Sequence, residues 1–398
     1  MKNILTIFKK EMKDTLRDRR TLIIMIIIPL LLFPVIINIS TSFMMKLEKG
    51  AKEKVLNVSV ILNGNNPGFE KKIIARKDMM LKRNISESNV KDLISNKKLD
   101  FAISFDKDFD KNVLALQPAK IRLYFRSSAS MDISKKRIDK ILMEFKNELL
   151  EKRLSGLGLK KNIITPIDID TLDIATAKEK FGEKAGGMLP YLFVIFCFIG
   201  AMYPAIDLGA GEKERGTIET LLVSPATRFE IVAGKFSVIT LAGIISALLS
   251  FVGLYLSLKM NSNIPEEFIS IIMKIVDLKS ISIIFSLLIP LSIFFAGMLL
   301  SLSLFAHSFK EAQNIITPLN FLIIIPAFIG TLPGIKFDSV TALIPVLNVS
   351  LASKEIISGT VKSGLLIEVY ISLVFLAILS LWFCVKWFNR ESVIFREA

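Results

Sequence analysis

Six long apolar runs constrain this chain of 398 residues more than any other feature of its sequence. Each run has 18 or more residues, and a helix of about 20 residues crosses the ~30 Å apolar core of a bilayer. The sequence therefore predicts a polytopic α-helical membrane protein with six transmembrane helices. We place them at residues 21–45, 189–208, 231–258, 281–305, 314–332 and 365–388.

Residues 1–20 form a basic segment ahead of the first run. Apolar residues recur there at helical spacing: Ile4, Ile7, Phe8, Met12 and Leu16. This pattern predicts an amphipathic helix lying on one membrane face, and a simple basic flank of the first span is the equal alternative. Seven Lys and Arg residues precede the run, so the positive-inside rule predicts a cytoplasmic N-terminus and, after six crossings, a cytoplasmic C-terminus.

The segment 46–185, between the first two spans, is large enough to bury a core of its own. Its strand-like runs at 55–62, 99–105, 121–125 and 163–174 alternate with helical patterns at 90–96 and 130–154, which predicts an extracytoplasmic α/β domain. Residues 46–184 contain 30 Lys and Arg against 20 Asp and Glu, and so carry +10 of the formal charge of +14. No aromatic-rich basic motif accompanies this charge. We therefore expect no nucleic-acid partner, and a solvated surface that faces anionic lipid or cell-wall polymer.

A polar island at 211–230 separates the second and third spans. Its charges must lie outside the hydrocarbon, because one charge at the bilayer centre costs roughly 2.5–3.5 kcal/mol. Gly216 breaks the charged stretch and Thr217 can cap a helix. Apolar residues then recur three and four positions apart, on one face of a short helix that ends at Pro225. Such a helix at the membrane surface is suited to docking a partner protein.

The chain lacks the motif of a nucleotide site. The nearest approach to the phosphate-binding pattern GxxxxGK[ST] is GEKERGT at 211–217, which has no lysine at the required place and does not follow a strand. We therefore expect that this chain is not an enzyme and does not hydrolyse ATP, so a partner must supply the energy.

The sequence also predicts that the chain has no metal site. Cys197 and Cys384 lie in apolar runs, and the single histidine cannot form a metal site alone.

The polar island also carries a specific resemblance. Residues 212–225 (EKERGTIETLLVSP), followed by Arg228 and the pair Gly234-Lys235, resemble the cytoplasmic coupling segment of ABC-2 type transporter permeases. Residues 1–20 resemble the elbow helix of these permeases. We call residues 211–230 the coupling segment.

Two stretches near the C-terminus resemble the NatB branch of that family. They are LPG at 332–334 and IPVLNVSL at 344–351, which are similar to the outer region between the last two spans. A large domain follows the first span in that branch as well. The resemblance covers nearly the whole chain.

This resemblance implies a permease subunit of an ABC exporter in the bacterial cytoplasmic membrane. It implies a homodimer of permeases, in contact with membrane lipid, that works with two copies of a cytoplasmic ABC ATPase, and the ATPase binds ATP and Mg. Closure of the ATPase would press on the coupling segment and shift the spans between arrangements.

The NatB branch is associated with sodium extrusion, which implies Na⁺ as the substrate. A lipid, peptide or amphipathic drug is the alternative cargo. A membrane-anchored protein that binds cell-wall polymer or phage is the alternative without transport.

Two sets of residues are candidates for function. The coupling candidates are Glu212, Glu214, Arg215, Gly216, Thr217, Glu219 and Pro225. Their alternative role is to cap and solubilise an inner loop. The pathway or gate candidates are Asp207, Asn314, Thr317, Asn320, Pro345 and Asn348.

Each pathway candidate also has a structural interpretation. Asp207 could pair with a basic residue across a dimer, line a gate, or form an ordinary salt bridge at the inner end of its span. Asn314, Thr317 and Asn320 fall on roughly one face of a span, where they could line a path or hydrogen-bond neighbouring spans. Residues 340–359 are too polar to span and too apolar for a free loop, which predicts a re-entrant or outer-leaflet helix pair broken at Pro345. Asn348 with Pro345 could form an outer gate there or simply end a helix.

Overall fold

The computed structural model describes residues 2–62, 67–127, 129–159, 161–164, 186–260, 277–332 and 334–390, with isolated positions between 165 and 185. The chain divides into two compact units. A helical unit comprises Met1–Ile39 and Asp173–Ala398, and an α/β unit comprises Ser40–Leu172. Six helices of the described chain are long and apolar enough to cross a membrane, and they match the six predicted spans.

The chain begins with helix α1 (Lys2–Thr15), which has the amphipathic pattern of the sequence. Helix α2 (Arg19–Glu53) follows and contains a π-helical turn at Ile23–Ile27. Asp18 caps α2 by accepting hydrogen bonds from two backbone N–H groups of its first turn. The first apolar run therefore lies in a helix that is longer at both ends than the predicted span.

Four strands and four helices of the α/β unit follow α2. In chain order they are β1 (Leu56–Leu62), α3 (Pro67–Ile74), β2 (Met79–Leu81), α4 (Val90–Ser95), β3 (Phe101–Phe105), α5 (Phe109–Leu114), β4 (Ile121–Phe125) and α6 (Ala129–Gly156). The sheet has the order β2-β1-β3-β4, with β1 parallel to β2 and β3, and β4 antiparallel to β3.

This unit differs from the prediction in several places, and the helices α3 and α5 were not predicted. The sequence pattern missed β2, because a strand of three residues is too short to show alternation. The predicted strand at 163–174 is wrong at its start, where Lys161–Ile164 form a 3₁₀ turn. Its other positions lie mostly outside the described residues.

The core of the α/β unit is built by alternation along its central strands. One face of β1 and β3 packs on α3, α5 and α6, while Ile61 and Ala102 face α4 on the other side. Four phenylalanine rings lie within 6.4 Å of one another in successive edge and stacked contacts: Phe69, Phe105, Phe109 and Phe145. Because these rings come from three helices and one strand, they fix the helical layer onto the sheet.

Among the described residues, eight α-helices of five or more residues follow in the helical unit. They are α7 (Met188–Ile206), α8 (Thr217–Leu222), α9 (Arg228–Met260), α10 (Leu278–Phe305), α11 (Phe309–Ile329), α12 (Ser339–Leu343), α13 (Leu347–Ser358) and α14 (Ser363–Phe388). A π-helical turn at Asp207–Gly211 extends α7 towards the coupling segment. π-helical turns occur frequently at functional sites.

Small polar residues hold the helices of this unit together. Ser292 on α10 donates to Thr240 O on α9 at 2.8 Å, and Ser350 on α13 donates to Ala327 O on α11 at 3.0 Å. Such small side chains allow close approach of helix backbones, and their hydroxyls bond across the interface.

The predicted helix pair at 340–359 is present as α12 and α13. The chain turns between them at Pro345 and Val346, and Val346 has φ 72° and ψ −52°. A positive φ is a genuine outlier for a β-branched residue, so the surrounding packing must hold this turn in place. The depth of the pair in a membrane stays a prediction.

Candidate coupling site

The coupling segment folds as two short helical turns on either side of Gly216. Glu212–Glu214 form the first turn, and α8 forms the second. Gly216 has φ 70° and ψ 8°, and it occupies the position before α8. The prediction that Thr217 caps this helix is wrong, because Thr217 is already its first residue. The left-handed backbone that begins α8 suits glycine, which has no Cβ to clash.

Glu212 lies in the interior of the helical unit. Lys235 Nζ is 2.5 Å from Glu212 Oε2 and 3.6 Å from Glu11 Oε1. Lys10 Nζ is 3.4 Å from Glu212 Oε1 and 3.1 Å from Glu11 Oε1. The side chains of Lys235 and Glu11 are 1% exposed and that of Glu212 is 3% exposed, whereas Lys10 reaches solvent. We call these four residues the ion cluster.

The charges of the ion cluster balance at two carboxylates and two ammonium groups. Burial raises the pKa of Glu11 above its usual range, although Lys235 opposes this effect. Burial lowers the pKa of Lys10, but the Glu212 and Glu11 carboxylates outweigh it and leave that pKa raised. A buried charge is tolerated only where it is paired and hydrogen-bonded, so each member depends on the others.

The ion cluster joins three parts of the fold. Glu11 belongs to α1, Glu212 to the coupling segment and Lys235 to α9. Lys235 Nζ also donates to Leu208 O, in the π-helical turn after α7, at 3.0 Å. The ammonium group of Lys235 on α9 therefore contacts both α1 and the helical stretch that runs from the end of α7 into the coupling segment.

Neighbouring residues of the coupling segment reach the turn between α10 and α11. Lys213 Nζ donates to Leu304 O near the end of α10 at 2.9 Å. The backbone N–H of Phe309, the first residue of α11, donates to Glu214 Oε2 at 2.7 Å. Lys213 and Glu214, which are adjacent in the sequence, thus contact α10 and α11, which are also adjacent in the sequence.

Both ends of the described chain lie beside the coupling segment. Asn3 Nδ2 donates to Glu230 Oε2 at 3.1 Å. Arg228 Nη1 donates to Asn389 O, just beyond α14, at 2.9 Å. The two termini are therefore at the same end of the helical unit, as an even number of spans requires.

Comparison with known proteins identifies the family of the chain. A sequence profile described as "ABC-2 family transporter protein" matches residues 19–386. The chain belongs to the ABC-2 transporter family. It is 27% identical over 371 residues to the "ABC transporter permease protein NatB" of Bacillus subtilis (strain 168), which covers 91% of this chain and 92% of the relative. It is 26% identical over 247 residues to the "Probable multidrug ABC transporter permease YbhR" of Escherichia coli (strain K12), which covers 58% of this chain and 59% of that relative.

This ABC-2 transporter is thus a multi-pass membrane protein, and its coupling segment presents an exposed surface. Glu219 and Pro225, both predicted from the sequence, are exposed there. Val223 is 88% exposed and Phe229 is 53% exposed beside them. We call these four residues the docking surface. Val223 directly follows α8 and Phe229 lies in the first turn of α9. Neither was predicted as a site residue, and the signal for each is an apolar side chain in a polar island.

Of the four residues in the ion cluster, only Glu212 was predicted from the sequence as a site residue. Glu11 lies four residues after Ile7 and three after Phe8, so it falls on the apolar face of α1. Lys235 lies inside the third apolar run. A charge on an apolar face or within a span requires a partner, and this rule could have paired them.

Asp207 and Arg215 form an ion pair within the chain. Arg215 Nη1 is 2.8 Å from Asp207 Oδ1, and this contact raises the pKa of Arg215. The structure thus contains the predicted salt bridge at the end of the span, and the roles of Asp207 in a gate or across a dimer stay predictions.

The polar residues of α11 bond to their own helix. Thr317 Oγ1 donates to Gln313 O at 2.6 Å, and Asn320 Nδ2 donates to Thr317 O at 3.0 Å. Asn314 and Thr317 are exposed and Asn320 is half-buried. These bonds do not reach neighbouring spans of the same chain, so the polar face of α11 is open to another molecule.

Asn348 is fully buried between α12 and α13. Its Nδ2 donates to Ala342 O at 3.0 Å, and its Oδ1 accepts from the backbone N–H of Val349 at 2.8 Å. Pro345 is half-buried in the turn. These bonds give Asn348 a structural role in joining the two helices. Its use as a gate stays a prediction.

Proposed function

We propose that this chain is the permease subunit of an ABC exporter in the bacterial cytoplasmic membrane, driven by a separate ATPase. The contacts of the coupling segment carry this proposal. Through buried ion pairs and backbone hydrogen bonds, the segment and its neighbour Lys235 contact α1, α9, α10, α11 and the end of α14. A load applied at the docking surface would therefore reach most spans at once. The ATPase must bind two arrangements of these helices with different affinity.

The orientation follows from the basic residues of α1. The positive-inside rule puts the N-terminus, and with it the coupling segment, in the cytoplasm, where an ATPase can dock. The α/β unit follows the first span in the sequence, and we place it outside the cell. The proposed assembly contains two permease chains and two ATPase chains, and the ATPase holds ATP and Mg.

The open polar face of α11 supports contact with a second permease. Asn314 and Thr317 are exposed there, and polar groups are costly against lipid. Two copies that meet along this face would cover these groups and could enclose a path between them. By contrast, Ile371, Phe375 and Ile378 are exposed on α14, which suits contact with lipid.

The test is co-purification of an ATPase with the full chain, extracted in mild detergent from its native membrane. Val223→Asp places a charge on the docking surface without touching the ion cluster. Val340→Asp is the matched control, since Val340 is 71% exposed beyond the opposite end of α11. We expect ATPase activity in the eluates of wild type and Val340→Asp, and little in that of Val223→Asp. An eluate of wild type without ATPase would support the membrane-anchored binding protein instead.

Sodium is the substrate that the NatB resemblance implies, and the oxygen atoms of the α11 face are of the type that hard cations prefer. An amphipathic substrate is the second candidate. It is favoured by an apolar groove of about 340 Å³ between α10 and α14, lined by Phe294, Met298, Leu302, Leu376 and Phe383 with Ser301 and Ser380.

The two substrates can be separated in inside-out vesicles that contain the permease and its ATPase. ATP-dependent uptake of Na⁺ and of an amphipathic dye would be measured in parallel. Met298→Trp fills the groove, and Asn314→Ala removes a polar group from α11. Loss of dye uptake with Met298→Trp alone identifies an amphipathic substrate, whereas loss of Na⁺ uptake with Asn314→Ala alone identifies sodium.

A further inference from the structure

The α/β unit contains a cavity that the transport proposal does not use. It has a volume of about 670 Å³ and lies between α5, β4 and the second half of α6. Its wall is formed by apolar side chains, among them Phe109, Ile121, Leu142, Phe145 and Leu149. Pockets for small molecules have volumes of roughly 300–1,000 Å³ and are mostly apolar. The cavity therefore has the size and lining of a small-molecule site.

The mouth of the cavity exposes apolar side chains. Leu114 is 84% exposed and Leu116 is 48% exposed, and both line the cavity. Leu116 has φ 58° because it ends α5: its N–H donates to Val113 O and the N–H of Gln117 donates to Asn112 O, the bonds of a left-handed helix end. An exposed apolar rim of this kind is typical of a binding groove.

The charged groups around the mouth all have the same sign. Lys146, Lys152 and Arg153 line the cavity, and no acidic side chain is among the described residues that do so. Arg153 Nη2 donates to Gln117 O at 3.0 Å, which ties α6 to the loop after α5. Lys146 and Lys152 are exposed, so their ammonium groups remain available to an anion.

The apolar wall and the basic mouth together indicate the ligand. Lys146, Leu149 and Arg153 recur at spacings of three and four along α6, so the basic groups stand directly above the apolar wall. We propose that this cavity binds an anionic amphiphile, with its acyl chain against the apolar wall and its carboxylate or phosphate between Lys146, Lys152 and Arg153. This site is independent of the proposed export function.

The experiment uses the full chain in nanodiscs of zwitterionic lipid and a long-chain fatty acid that carries a photoactivatable diazirine. After irradiation, labelled peptides are identified by mass spectrometry. The methyl ester of the same acid serves as the uncharged probe. We expect the acid to label peptides from 109–123 and 142–153, and to do so at least fivefold more than the ester.

Two variants test the two halves of the site. Lys146→Glu with Lys152→Glu reverses the exposed charge without entering the core, and it should lower labelling by the acid at least fivefold while leaving labelling by the ester unchanged. Lys91→Glu, on exposed α4 away from the cavity, is the matched control and should change nothing. Leu149→Trp fills the cavity and should lower labelling by both probes, whereas Met143→Trp, at an exposed position on the same helix, should not.

Three results would overturn the proposal. Equal labelling by acid and ester in the wild type would indicate an uncharged ligand. Labelling confined to the membrane spans would show that the cavity does not bind the fatty acid. Equal loss in the Lys91→Glu control would show that general surface charge, and not this mouth, attracts the probe.

Discussion

Lys235 Nζ lies 2.5 Å from Glu212 Oε2, and both side chains are almost completely buried. Lys235 is on a membrane-spanning helix, and Glu212 is in the coupling segment. Because the same ammonium group also pairs with Glu11 of α1, movement of the segment relative to α9 would separate buried charges. The elbow helix, the coupling segment and α9 are therefore expected to move as one body.

Substitution of Lys235 alone should strongly lower the stability of the protein. In Lys235→Met the buried carboxylates of Glu11 and Glu212 lose their shared partner, and breaking a buried pair from one side costs about 3–5 kcal/mol. The double variant Lys235→Met with Glu212→Gln removes one charge of each sign and should recover much of this loss. Thermal unfolding can be followed with a thiol-reactive dye, since Cys197 and Cys384 are both buried.

Additivity is the result that would contradict this coupling. If the double variant is less stable than the wild type by the sum of the losses in the two single variants, the two residues do not interact. Ser237→Ala, at an exposed position on the same helix, controls for substitution in α9 itself.

Stability should depend on pH through Glu11. Its folded-state pKa lies above the ordinary value of 4.5 because burial favours the protonated form. The unfolded chain therefore loses this proton first, so the contribution of Glu11 to stability is full below pH 4.5 and falls as pH rises through the raised pKa. In Glu11→Gln this fall should disappear, as the difference between the two thermal unfolding curves would show.

Asp14→Asn is the control for the pH series. Asp14 lies on the same helix, but half of its side chain is exposed, and it should leave the wild-type profile unchanged. A Glu11→Gln profile that runs parallel to the wild type would show that Glu11 does not titrate in this window.

The effect of substituting Gly216 should depend on whether the new residue tolerates a positive φ, and not on the size of its side chain. A Cβ at this position meets no atom within 4 Å, so only φ 70° restricts the side chain. Asparagine tolerates this region and should be accepted, whereas valine should cost about 1–2 kcal/mol locally and displace α8. Co-purified ATPase should persist in Gly216→Asn and drop in Gly216→Val. Equal ATPase recovery for both would mean that the turn does not position the docking surface.

Gly234 should be required for close packing of α1 on α9. A Cβ at this position would lie 2.6 Å from Ile7 Cγ2 and 2.9 Å from Ile7 Cβ. Gly234→Ala should therefore cost about 1–3 kcal/mol through overpacking. Gly364→Ala, where a Cβ meets nothing within 4 Å, should have little effect on the dye-detected midpoint.

Rescue by a smaller neighbour would identify the cause. Ile7→Ala combined with Gly234→Ala should be more stable than the sum of the two single changes predicts. Absence of such rescue would place the effect of Gly234→Ala in α9 itself.

The sequence determined the number of spans and the position of the coupling segment. Runs such as 231–258 have no stable alternative to a helix in a membrane, because every backbone polar group must bond within the segment. The break at Gly216 and the helix pair around Pro345 were also predictable, since glycine permits a left-handed backbone, whereas proline fixes φ and lacks an N–H donor. The strands at 101–105 and 121–125 follow from apolar and β-branched composition.

Only the tertiary structure decided which charges meet. Glu11, Glu212 and Lys235 belong to separate helices, and the sequence indicates that Glu11 and Lys235 need partners without showing that all three residues meet. Their burial depends on how α1 lies across α9, which is fixed by the packing of Ile7 on Gly234 and not by any local pattern. The cavity of the α/β unit likewise depends on the gap between α5, β4 and α6. Local propensity decides where helices and strands form, whereas the partners of a charge and the shape of a cavity are properties of packed surfaces.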